Sequence, residues 1–195
     1  MTRPARLARW RTEAGAWASG RNPWVRLPLL AWLAWVFARH LGDADYASIF
    51  AGLNLGIHEL GHFVFAPLGE FMAIAGGTLL QCLAPVIAAF MFRRQGDWFA
   101  IAFALCWLGT NAFAIAPYAA DARAQELPLV SPIDGVPVHD WYYLLERTRL
   151  LEQDYLVSGL FRLAGMACMA AGLGFGVWLL LIMYRTRGQA PTTAG

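Results

Sequence analysis

The chain has 195 residues, of which 58% are hydrophobic and only 14% charged, with a mean hydropathy of +0.46. A soluble domain carries about 25% charged residues, so the composition excludes an ordinary soluble globular protein and predicts an all-α integral membrane protein of one domain. A net charge of +2 is too small to support a nucleic-acid partner.

Residues 1–22 form an arginine-rich arm: Arg3, Arg6, Arg9 and Arg11 precede the first apolar run, and Trp10 and Trp17 are interleaved. Such an arm is expected to lie as an interfacial helix or loose tail on an anionic membrane surface. It does not read as a signal peptide, because the apolar run begins too late, continues too long and lacks a cleavage site. All 15 basic residues are arginine, and no function follows from that.

A helical membrane domain is predicted over 23–185, with about five spans near the usual length of 17–25 residues. The first runs over 24–41, where Arg26 and Arg39 can snorkel and His40 sits at the interface. Asp43 and Asp45 mark a connection, and the second span covers 46–68. The third, 71–92, contains Gly76-Gly77, which suit close helix packing, the polar Gln81, and Pro85, expected to kink it. After the Arg93-Arg94 loop the fourth span, 98–120, carries Asn111 and Pro117 and ends at Asp121. Residues 121–158 are the only long polar stretch, with a turn expected at 131–135. His139-Asp140-Trp141 then opens an amphipathic helix whose buried side is predicted to be Trp141, Leu144, Leu145 and Leu151. The fifth span covers 159–184, and 186–195 is a polar tail. Cys82, Cys106 and Cys168 stand singly in apolar runs; they lack metal or redox spacing and read as small buried residues.

Alternating five spans puts the N-terminal arm, the 69–71 turn and the 121–158 segment on one side. That side would hold Arg3, Arg6, Arg9, Arg11, Arg21, Arg26, Arg123, Arg147, Arg149 and Arg162, leaving Arg39, Arg93, Arg94, Arg185 and Arg187 on the other. The arginine bias predicts that the first side is cytoplasmic. The expected location is a bacterial inner (cytoplasmic) membrane, multi-pass, with a cytoplasmic N-terminus and an amphipathic helix on the same side.

The chemistry centres on Gly56-Ile57-His58-Glu59-Leu60-Gly61-His62, an H-E-x-x-H pattern in an apolar run. Residues four apart share a helix face, so His58 and His62 can hold one metal ion, with Glu59 beside them as general base for a water. A five-residue pattern with three fixed positions also arises by chance. Here, however, His58, Glu59 and His62 are the only ionisable side chains of the 46–68 segment besides Tyr46. Ionisable groups at membrane depth are costly and tend to mark function. Two imidazoles suit Zn²⁺, and a catalytic zinc site needs a third protein ligand.

These residues resemble the site-2 protease family of intramembrane zinc metallopeptidases. That family carries H-E-x-x-H in one transmembrane helix and an aspartate ligand in a later one. His58, Glu59 and His62 match the first motif. Asn111, Pro117 and Asp121 resemble the second, except that Ala122 stands where the family has glycine. The resemblance covers about residues 46–121. It implies Zn²⁺ held by two histidines and a carboxylate, Glu59 as base, and cleavage of peptide bonds within or beside the membrane. From Gly56 through Trp141 the chain also looks like small bacterial membrane relatives of these peptidases, which suggests that Gly76-Gly77, Gln81, Asp121 and His139-Asp140 belong to one site.

The third ligand is ranked Asp121, then His139, then Asp140, with Asp134 last. Asp121 and His139 together would make a four-ligand site, and Asp140 is equally natural as a helix-start acid. Asn111 and Gln81 are candidates to hold substrate backbone, interhelical hydrogen bonding being their other role. Expected partners are membrane lipids, a peptide or membrane-protein substrate, and a larger membrane complex. Two rivals to a peptidase remain: a non-catalytic metal-binding subunit or assembly factor, and a metal transporter or sensor.

Overall fold

The computed structural model describes residues 3–128 and 139–188. The expected turn at 131–135 and Asp134 lie outside those residues. Among the described residues every regular element is helical. The elements are α1 (Arg3–Ala18), α2 (Leu27–Gly42), α3 (Ala51–Phe65), α4 (Glu70–Gln95), α5 (Trp98–Ala120), α6 (Asp140–Arg147) and α7 (Asp154–Arg185). The all-α expectation is met. Three segments are long and apolar enough to cross a membrane, Glu70–Gln95, Trp98–Ala120 and Leu151–Arg185. The count of about five is not confirmed, because α2 and α3 have only 16 and 15 residues. At 1.5 Å per residue each is roughly 24 Å long or less.

Helix α5 is the axis of the bundle, packed between α4 and α7. Asp97 caps its start by accepting from the backbone N–H groups of Phe99 and Ala100, which satisfies two of the orphan donors of a first turn. The helices α4 and α5 continue unbroken through Pro85 and Pro117. Cluster by cluster, the core follows the axis. Ala14, Ala18, Leu30, Trp98 and Leu179 meet at one end. Leu33, Val36, Phe50, Cys106, Phe113 and Met169 fill the middle. Ile115, Ala119, Ala122, Trp141 and Leu145 close the other end.

The N-terminal arm is a helix on the bundle. Ala14 and Ala18 are fully buried, Trp10 packs on Trp98 and Phe175, and the Gly20 N–H donates to Thr186 Oγ1 over 2.9 Å. Glu13 pairs with Arg93.

The connection from α2 to α3 departs from simple alternation. Helix α2 descends beside α5 until His40 stacks on Phe113 at 4.7 Å between ring centroids. Residues 43–50 then double back: Tyr46 packs on His40 and Trp35, and Phe50 reaches Trp32 and Phe103. Helix α3 therefore starts alongside the upper part of α5 and runs in the same direction as α2. Asn54 accepts from Trp107 Nε1 at 2.8 Å, and His58 lies beside Tyr118.

This corrects the expected grouping of the loops. The N-terminal arm shares an end with the α4–α5 loop and the end of α7, opposite the 69–71 turn and the α5–α6–α7 connections. Among the described side chains, Arg9, Arg11, Arg21, Arg26, Arg93, Arg94, Arg185 and Arg187 gather at the first end with only Glu13 and Asp97 as acids. The other end holds Arg39, Arg123, Arg147, Arg149 and Arg162. Its acids are Asp43, Asp45, Glu59, Glu70, Asp121, Glu126, Asp140, Glu146, Glu152 and Asp154.

Candidate metal centre

Three elements build the site at the acid-rich end. On α3, His58 and His62 face α4 from adjacent turns. The two helices meet glycine to glycine, since a Cβ on Gly76 would stand 2.5 Å from the Gly61 carbonyl oxygen. One position on, a Cβ on Gly77 would lie 2.6 Å from His58 Nε2 and 2.8 Å from His62 Nε2. Only a residue without a side chain leaves the space in front of both imidazoles open.

The Nδ1 atoms point away from that space, into hydrogen bonds with α4. His62 Nδ1 donates to the Ala73 carbonyl at 2.9 Å, an oxygen that can only accept. His58 Nδ1 donates to Gln81 Oε1 at 3.1 Å. These bonds place the proton of each neutral ring on Nδ1 and leave both Nε2 lone pairs unprotonated.

Asp140 completes the group, arriving from α6. Its Oδ2 stands 2.8 Å from His58 Nε2 and 3.3 Å from His62 Nε2. His58, His62 and Asp140 form a set whose ligand atoms all lie within 4.8 Å of one another, and the set could hold a metal ion. Asp140 Oδ2 is within hydrogen-bond distance of His58 Nε2, so the group can share a proton or hold a cation among its three facing atoms. Tetrahedral ligands about 2.0–2.1 Å from zinc stand roughly 3.3 Å apart; the two separations from Asp140 Oδ2, 2.8 and 3.3 Å, are of that order. His58 and Asp140 are buried, while the His62 side chain keeps 25% of its surface exposed, which leaves the cluster open on that flank.

The sequence around Asp140 explains its placement. His139 is the N-cap of α6, its Nδ1 accepting from the Tyr142 N–H at 3.1 Å. The Asp140 N–H, an orphan donor of the first turn, is taken by the Tyr118 hydroxyl at 3.0 Å. Trp141, Leu144 and Leu145 are buried, and Leu151 packs against them, as the amphipathic pattern predicted.

The structure reorders the third-ligand candidates. Asp121 and His139, ranked ahead of Asp140, lie outside the cluster and pair with each other, His139 Nε2 donating to Asp121 Oδ2 at 3.1 Å. Asp121 also accepts from the backbone N–H groups of Glu126 and Leu127. Burial pushes its carboxyl up, and those N–H groups together with His139 bring it below the usual value. With His139 Nδ1 spent on the helix cap, this pair has no imidazole nitrogen to offer a metal.

The substrate-contact candidates differ too. Asn111 is fully buried and donates to the Trp107 carbonyl of its own helix. Gln81 is committed to His58. Glu59, next to His58, is half-buried and forms no ion pair among the described residues. The sequence reading gave no part to Tyr118 or to the Ala73 carbonyl; an aromatic residue just ahead of Asp121 on α5 was the only hint of the first, and nothing local signals the second. Comparison with protein-family models, with curated proteins and with solved structures finds no match.

Proposed function

We propose that this protein is a membrane-embedded, zinc metallopeptidase-like protein that hydrolyses peptide bonds within or next to a bacterial cytoplasmic membrane. The observation that supports this reading is the convergence of His58 Nε2, His62 Nε2 and Asp140 Oδ2 beside Gly77, with both Nδ1 atoms already committed to carbonyl acceptors. Two imidazoles and one carboxylate are a catalytic type of zinc donor set, because they leave a fourth position for water or substrate. A zinc ion held there would lower the pKa of a bound water toward about 7 and polarise a carbonyl.

Glu59 is the base in this reading. It sits one residue from His58 on the partly open side, takes the proton of the attacking water and passes it to the leaving amine. Gln81 and the Ala73 carbonyl keep the rings oriented, and Tyr118 keeps Asp140 in place. The test is Glu59→Gln, assayed on membrane-anchored and soluble peptides: zinc is retained while cleavage is lost. Unchanged cleavage removes Glu59 from the role.

One observation favours a second reading, a non-catalytic metal-binding subunit or assembly factor. Helices α3 and α4 are joined only through a 3₁₀ turn, Ala66–Leu68, and Gly69, and no strand is present among the described residues to hold an extended substrate. Stable co-purification with a larger complex, with zinc bound and no cleavage, selects that reading.

A further inference from the structure

The doubling back of residues 43–50 has a consequence for where the metal cluster stands relative to the membrane. Because α2 and α3 run the same way, the bundle is strongly polarised along its axis. Among the residues whose side chains are described, eight arginines face two acids at the end formed by α1, the α4–α5 loop and the end of α7, and five arginines face ten acids at the end that carries His58, His62 and Asp140. The arginine-dense end has the anchors of a membrane interface. Trp24 and Val25 are 51% and 72% exposed, and the guanidinium groups of Arg21 and Arg26 lie over the Trp17 ring. Arginines next to the ends of membrane helices are retained on the cytoplasmic side, where they also meet anionic headgroups.

We propose that the arginine-dense end faces the cytoplasm and that the metal cluster lies at the extracytoplasmic end, so that the peptide it acts on is presented from outside the cytoplasm. The substrate clause rests on the hydrolytic reading above; the placement of the two ends does not. On this basis the N-terminus and the end of α7 are cytoplasmic, and α6 with its Asp140 covers the cluster from the outer face.

The experiment uses the full chain in the cytoplasmic membrane of spheroplasts, with single cysteines at exposed positions and a membrane-impermeant maleimide. Glu126→Cys and Arg149→Cys report the cluster end; Arg94→Cys and Arg187→Cys report the arginine end. The unsubstituted protein, whose cysteines are buried or half-buried, supplies the background. The expected result is labelling of Glu126→Cys and Arg149→Cys in intact spheroplasts, and of Arg94→Cys and Arg187→Cys only after lysis. Labelling of either arginine-end variant before lysis, or protection of both cluster-end variants until lysis, overturns the proposal. Cleavage by detergent-solubilised protein, compared with Glu59→Gln, reads the reaction without regard to side, so failure of the one is distinguishable from failure of the other.

Discussion

Two acid–imidazole groups sit side by side at one end of this bundle, and they are built on opposite principles. In the Asp121–His139 pair every proton has an acceptor: Nε2 donates to the carboxylate, and Nδ1 is used by the cap of α6. In the His58–His62–Asp140 group both Nδ1 protons are directed outward, and three lone pairs are turned inward. The first is self-sufficient and structural. The second could hold a cation among its three inward-facing atoms. Histidine beside aspartate is therefore not itself a metal signature; what distinguishes the two is where the other ring nitrogen is spent.

The largest expected effect comes from removing an inward lone pair. His58→Ala or His62→Ala should abolish stoichiometric zinc binding, measured by elemental analysis of purified protein. In the unsubstituted protein, zinc content should fall on acidification, since protons then compete with the metal for the same ligand atoms. Next is Gly77→Ala, which places a methyl 2.6 Å from His58 Nε2. Bound metal should be lost while helical circular dichroism is kept, and Gly174→Ala, with open space around it, should change neither.

A smaller effect is expected from the outer bonds. Gln81→Leu removes the acceptor that orients His58 and should weaken zinc by about 10–100-fold, read by competition with a chelator of known affinity. Smallest is Asp121→Asn, which should leave zinc bound and cost about 1 kcal/mol of stability, seen as a lower Tm in detergent. Its pH dependence runs in the same direction as that of the metal group, but at lower pH. The Asp121 carboxyl is held below the ordinary aspartate value, so its stabilisation is fully present above about pH 4 and is lost as pH falls through the depressed folded value. The Tm gap between wild type and Asp121→Asn should therefore be full at neutral pH and close in acid. A gap that persists undiminished in acid would place the effect elsewhere.

What was legible in the sequence was local. The spacing of His58 and His62 is a property of one helix, and so is the amphipathic run that starts at Asp140; both are found as read. Helices α4 and α5 follow the apolar runs to within a few residues. The approach of Asp140 to His58 spans 82 positions of chain and depends on α6 docking through Trp141 and Leu145, which no local pattern encodes. His139 was overrated for a related reason: a histidine at a helix start reads as a ligand until its Nδ1 is found on the Tyr142 N–H. Gly77 reads from its own residues as a packing residue and from the resemblance as part of the site; its position in front of the imidazoles follows from the Gly61–Gly76 contact. The return of residues 43–50 was hidden as well. Asp43 and Asp45 announced a break, and the direction taken afterwards is set by aromatic packing of Tyr46 and Phe50 on distant helices.

The central claim is that Asp140, and not Asp121, completes a zinc site with His58 and His62. It is tested most directly by elemental analysis of the purified protein beside Asp140→Asn and Asp121→Asn. The account predicts one zinc per chain in the wild type and in Asp121→Asn, and none in Asp140→Asn. Zinc retained in Asp140→Asn and lost in Asp121→Asn would contradict it.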